Sequence, residues 1–191
     1  MVVGFIGKPA CGKGKQAEIL SDAGVPTQRS SGILDELPVE HHLNRMRCAG
    51  NLIPGGEMAK LVIDKLAHRQ HPDLIFLDGS PRSVEELEVL VPGFSDIDYH
   101  LMLIHFEISD ELALMRRMSQ NAGGEVRLDA GTEKERLITF TKQTLPVIER
   151  ARHMDVPIKT IQVTDTATPM YIAFQVMGKV SRQAFLHPSA H

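Results

Sequence analysis

The chain has 191 residues, 42% of them hydrophobic, enough for one domain whose core needs no disulfide or metal staple. A net charge of −3 and an aromatic share of 5% with no Trp exclude a basic nucleic-acid surface and a base-stacking platform. Two cysteines, Cys11 and Cys48, make no disulfide framework, and the short apolar N-terminus suits a strand rather than a signal peptide or membrane span, so a cytoplasmic, reducing setting is expected.

The first strand is predicted at Val2–Ile6. It runs directly into Gly7-Lys8-Pro9-Ala10-Cys11-Gly12-Lys13-Gly14-Lys15-Gln16, ahead of a predicted helix at Gln16–Ser21. This G-x-x-x-x-G-K loop lies where phosphate chemistry requires it, between a strand and a helix. Its glycines let backbone N–H groups turn inward as a nest for phosphate oxygens. The following helix N-terminus adds partial positive charge, and Lys13 reaches the outer phosphates. Cys11 reads as a small loop-filling side chain, with a reactive thiol as the alternative.

Further strands are predicted at Val25–Arg29, Leu74–Leu77, Tyr99–Phe106 and Pro157–Ile161. Helices are predicted at Glu57–Arg69, Ser83–Leu90, Asp110–Met118, Glu133–His153 and Pro169–Gln183. The alternation predicts an α/β fold with a five-stranded parallel sheet flanked by helices. The longest helix carries Leu137, Ile138, Phe140, Leu145 and Ile148 mostly on one face, behind the capping-box pattern Thr132-Glu133-Lys134-Glu135. Asn121–Gly131 is a polar, glycine-bearing loop of the size of a short lid. His41 and His42, like His68 and His71, lack Cys or acidic partners at metal-ligand spacing and read as solvated. Glu85-Glu86-Leu87-Glu88 reads most simply as a solvated helix face.

Gly12-Lys13-Gly14-Lys15-Gln16 resembles the G-K-G-T-Q of adenylate kinases and related nucleoside monophosphate kinases. Other matches follow in order. Ser30-Ser31-Gly32 resembles S-T-G, Gly50-Asn51-Leu52-Ile53-Pro54 resembles G-x-L-V-P, and Asp78-Gly79-Ser80-Pro81-Arg82-Ser83 resembles D-G-F-P-R-T. Arg127-Leu128-Asp129 is similar to R-x-D-D of the family's lid, and Arg136-Leu137 to the R-L that follows it. The resemblance covers nearly the whole chain. It implies a single P-loop NTPase domain over residues 1–191, with a helical insertion for the monophosphate around 30–60 and a short lid around 119–131.

The resemblance also implies roles. Gly7, Pro9, Ala10, Cys11, Gly12, Lys13, Gly14, Lys15 and Gln16 would hold ATP, and Arg116 or Arg117 would lie on its base. Ser31, Gly32, Glu36, Ile53, Gly79, Arg82 and Glu86 occupy the acceptor's positions. Asp78 stands where a carboxylate holds magnesium through water; an Asp-Gly turn after a strand is the structural alternative. Lys13, Arg82, Arg127 and Arg136 would converge on the transferring phosphoryl group. The implied activity is magnesium-dependent phosphoryl transfer from ATP to a nucleoside monophosphate by a monomer. The alternatives are a P-loop kinase for another nucleotide or small metabolite, and a nucleotide-binding module with weakened catalysis.

Several positions depart from the family pattern. Lys15 replaces a threonine, Ile33 an aspartate, Ala130 the second aspartate of R-x-D-D, and Gln120 or Asn121 a lid arginine. Glu86 replaces the glutamine that reads the acceptor base. Glu36 replaces an arginine that binds the acceptor's phosphate, and losing one charged hydrogen bond there costs ~1.5–3 kcal/mol. Acceptor affinity should fall about 10- to 100-fold unless Arg29, Arg45 or Arg47 fills in.

Overall fold

The computed structural model describes residues 1–49, 53–68, 72–122 and 137–186. Five strands, β1 (Val2–Gly7), β2 (Thr27–Arg29), β3 (Ile75–Asp78), β4 (Leu101–Glu107) and β5 (Ile158–Gln162), form one parallel sheet in the order β2-β3-β1-β4-β5. Eight α-helices connect and flank them among the described residues. These are α1 (Lys13–Asp22), α2 (Ser30–Asp35), α3 (His42–Cys48), α4 (Gly55–Ala67), α5 (Val84–Ser95), α6 (Asp110–Ala122), α7 (Leu145–His153) and α8 (Pro169–Leu186).

All six residues of β1 are buried, because helices cover both faces of the sheet. Alternation along the strands divides the core in two. Val2, Ile6, Ile75, Leu77, Leu101 and Leu103 face the layer built by α2, α3, α4, α5 and α7. Val3, Phe5, Phe76, Met102, Ile104 and Phe106 face α1, α6 and α8. Phe5 packs against Phe76 and edge-on against Phe106, with centroids 5.3 and 5.2 Å apart, across the three central strands. Each such pair contributes roughly 0.5–1.5 kcal/mol beyond area burial. This rigid platform lies beneath the loop that leaves β1.

The chain moves from β1 outward to β2 and later to β4 on the opposite side, so the sheet switches direction at β1. Ligands of open parallel sheets gather outside the carboxyl ends of the strands at that point. The topology is that of the P-loop NTPases, as the sequence implies.

The insertion between β2 and α4 contains two short helices, α2 and α3, without long periodic patterns of their own. Two other elements differ from the sequence expectation. α5 continues past Leu90 through Pro92 to Ser95; Pro92 is exposed, so water can serve the carbonyl it leaves unpaired. The long helix is interrupted by a π turn at Phe140–Thr144 directly before α7. Pro146 lies in the first turn of α7, where its missing N–H and bulky ring disfavour an unbroken α-helix. The capping-box residues before it lie outside the described residues. Among those described, no helix is long and apolar enough to cross a membrane.

Candidate functional site

The P-loop leaves β1 at Gly7 and enters α1 at Lys13. At Gly7 an added Cβ would sit 2.6 Å from Cys11 Sγ and 2.7 Å from Phe106 O, so the loop closes tightly only with glycine. Gly12 adopts φ 100° as the N-cap of α1 and supplies no side-chain cap, leaving the first-turn N–H groups for an anion. Lys13 Nζ arches over the loop and donates to Gly7 O at 2.6 Å and Lys8 O at 3.1 Å, with Cys11 Sγ at 3.4 Å. Cys11 is buried in the core, which supports the loop-filling reading. Pro9 and Ala10 form the half-buried bend of the loop. Lys8 is tied to Asp110 and to Ile108 O, linking the loop to the end of β4.

Not every residue of the motif faces this loop. Lys15 pairs with Glu18 at 2.9 Å on the exposed side of α1. Gln16 is buried and donates to Pro169 O at 3.1 Å, so its amide fastens α1 to the start of α8.

Asp78 ends β3, in register with Phe5 of β1 and Arg29 of β2. Its Oδ2 lies 3.6 Å from Arg29 Nε and faces α1, where a Cβ on Gly14 would stand 3.8 Å away. Magnesium in nucleotide sites takes one or two carboxylates and completes its shell with phosphate and water. One carboxylate beside a phosphate loop fits that donor set. Among the described residues no group of three His, Cys, Asp or Glu side chains could cage a metal without the nucleotide.

After Asp78 the chain turns at Gly79, with φ 84°, into the cis peptide Ser80-Pro81. Gly79 O accepts from Ser30 Oγ at 2.9 Å and from Arg82 Nε at 2.7 Å. The guanidinium of Arg82 is thereby held at the same sheet edge as Asp78. Ser30, the buried neighbour, makes this bond, while Ser31 is exposed and Gly32 half-buried in the first turn of α2. Ile33, in place of an aspartate, joins the core.

Two acidic positions differ from their expected roles. Glu86 is only 2% exposed, and its carboxylate accepts from Ser80 Oγ and from Arg82 N, the latter at 2.7 Å. Burial pushes its carboxyl pKa up, while the Ser80 and Arg82 hydrogen bonds act in the opposite direction. Both oxygens therefore bind the loop that carries Arg82. The neighbouring carboxylates are engaged as well, so the acidic run is not simply a solvated face. Glu85 accepts from Gly55 N at 3.2 Å at the start of α4, and Glu88 pairs with Arg150 at 2.7 Å. Glu36 meets Lys65 of α4, which offsets its charge.

Ile53 is half-buried beside α4 and lines a cleft of about 360 Å³ with Gly55, Ser83, Val84, Lys142 and Pro146. A second cleft of about 400 Å³ lies between Lys8, His105, Asp110 and Phe140. Neither is lined by Lys13, Asp78 or Arg82. On α6, Arg116 donates to Thr164 O at 3.0 Å and Arg117 is half-buried. Arg127 and Arg136 lie outside the described residues, as does the lid segment after Ala122. Sequence reading took Glu85 as part of a solvated face and gave Arg29 only a reserve role; strand register is the signal that sets Arg29 beside Asp78.

No family model matches the chain. It is 28% identical to the adenylate kinase of Corynebacterium aurimucosum over 185 residues, spanning 92% of this chain and 98% of that protein. With the adenylate kinase of Leptospira biflexa it shares 29% identity over 154 residues, 76% of this chain and 82% of the relative. With that of Kocuria rhizophila the identity is 30% over 152 residues, 75% of this chain and 81% of the other. Identity of that degree, sustained over four-fifths of a relative that carries the same activity name, means that the chain belongs to the adenylate kinase family.

Proposed function

We propose that the chain catalyses magnesium-dependent transfer of the terminal phosphoryl group of ATP to a nucleoside monophosphate, AMP being the nearest named acceptor. The observation that carries this reading is the shared sheet edge of Lys13, Asp78 and Arg82, in a chain of the adenylate kinase family. Such transfer depends on positioning and positive charge more than on covalent chemistry. The loop N–H groups and Lys13 hold the outer phosphates of ATP. Arg82, with Arg127 and Arg136 as the resemblance implies, meets the charge on the phosphoryl oxygens as the acceptor's phosphate oxygen approaches in line. A bond forms from that oxygen to the γ-phosphorus, the bond to the β,γ-bridging oxygen breaks, and two nucleoside diphosphates leave. Asp78 would hold magnesium, which would supply further positive charge against the triphosphate.

A second reading, broader acceptor choice, is favoured by Glu86. A buried side chain whose two oxygens each accept from the protein offers little to a base, so selection against GMP, CMP and UMP weakens. The test is a coupled assay of ADP formation from MgATP against AMP, GMP, CMP, UMP and a blank without acceptor. Acceptor-dependent ADP with AMP among the substrates supports the reading. A rate that no monophosphate raises refutes it.

A further inference from the structure

With Glu36 where the family places a cation, the acceptor's phosphate needs positive charge from elsewhere, and the sheet edge supplies it. Arg29 ends β2 beside Asp78, its Nε 3.6 Å from Asp78 Oδ2. Arg82 is tethered to the next residue in the chain, its Nε donating to Gly79 O at 2.7 Å. Both arginines thus present Nε to consecutive residues, Asp78 at the end of β3 and Gly79 directly after it. Their terminal nitrogens have no hydrogen-bond acceptor among the described residues.

The Arg29 contact is longer than a hydrogen bond and its side chain is 54% exposed, so a phosphate can displace it at little cost. The other nearby cations are placed differently. Arg47 is committed to Asp35 at 2.7 Å, and Arg45 lies in the same last turn of α3, a helix packed on α2. Lys65 is occupied by Glu36.

We infer that Arg29 and Arg82 form a two-armed clamp for the acceptor's phosphate, Arg29 standing in for the cation that position 36 lacks. The inference rests on the phosphoryl-transfer reading above. A planar guanidinium fork matches two phosphate oxygens at once, and two such forks set against the adjoining Asp78 and Gly79 fix the phosphate's position as well as its charge.

The test is steady-state kinetics of wild type, Arg29→Ala, Arg29→Lys and Arg29→Ala/Glu36→Arg on the best monophosphate found for the wild type. Arg29→Ala is expected to raise the acceptor KM at least ~10-fold, about 1.4 kcal/mol. KM for MgATP should hold, and so should inhibition by the matching phosphate-free nucleoside, because the lost contact is to phosphate alone. Arg29→Lys, which keeps a point charge without the fork, should raise the acceptor KM about threefold and serves if the alanine variant misfolds. Adding Glu36→Arg should recover much of the lost affinity. An unchanged acceptor KM overturns the inference. A rise in KM for MgATP instead also overturns it, placing Arg29's role with Asp78 on the donor side. A wild type that phosphorylates no monophosphate overturns the underlying kinase reading, a different result from a working kinase indifferent to Arg29.

Discussion

Replacing Glu86 with alanine removes the acceptor for two hydrogen bonds in a region closed to water, Ser80 being 0% and Glu86 2% exposed. Ser80 Oγ and the Arg82 N–H lose their partner together. Each buried group left unpaired costs about 1–3 kcal/mol, and the vacated side-chain volume adds roughly 1 kcal/mol. A total of about 3–7 kcal/mol is a large share of a typical stability of roughly 5–15 kcal/mol. In a chain of this size it lowers Tm by roughly 6–28 °C. Glu86→Gln should cost about 1 kcal/mol or less, because its amide oxygen can accept from Arg82 N and its amide nitrogen can donate to Ser80 Oγ. The two variants also differ in their pH response. The folded-state pKa of Glu86 is raised by burial, so its contribution to stability is fully present below the unfolded pKa and is lost as pH rises through the folded one. The glutamine carries no such loss, so its Tm should gain on wild type between pH 5 and pH 8. Thermal melts followed by circular dichroism at both pH values decide the matter. An alanine variant melting within about 2 °C of wild type would refute the loop-holding role.

Lys13→Ala should weaken ATP binding about 10- to 100-fold, the loss of one charged hydrogen bond to phosphate, as measured by calorimetry with and without magnesium. Arg127→Ala should lower turnover at least ~100-fold while Tm changes little, and a variant that melts early yet keeps its specific activity would make Arg127 structural. Gly93→Val should cost about 1–3 kcal/mol, because a Cβ there overlaps Ile63 Cδ1 where α5 meets α4. That loss should appear in Tm with KM values unchanged.

The strand-loop-helix of the P-loop was legible because its glycines, its lysine and the apolar run before it are local signals that need no tertiary partner. The alternation of apolar runs with helical patterns carried the parallel sheet in the same way. Short helices such as α2 and α3 lack room for a periodic pattern and are held by packing, as Ile33, Leu34 and Leu43 show. The acidic residues were the least legible. In sequence Glu36 is a reversed charge, and only the approach of α4 reveals that Lys65 neutralises it. Glu85 and Glu86 look like one solvated run, yet the first reaches α4 and the second turns into the Ser80–Arg82 loop. Which way a carboxylate faces is decided by partners far away in the chain, and those are invisible to spacing.

The most direct measurement is the fate of the terminal phosphoryl group. ATP labelled at the γ-phosphate is incubated with the protein, magnesium and AMP, and the products are separated. The label should appear in the β-position of newly formed ADP, in amounts equal to the ATP consumed, and Lys13→Ala should abolish it. Label released only as inorganic phosphate, or ATP left intact at saturating AMP, GMP, CMP and UMP, would contradict phosphoryl transfer between nucleotides.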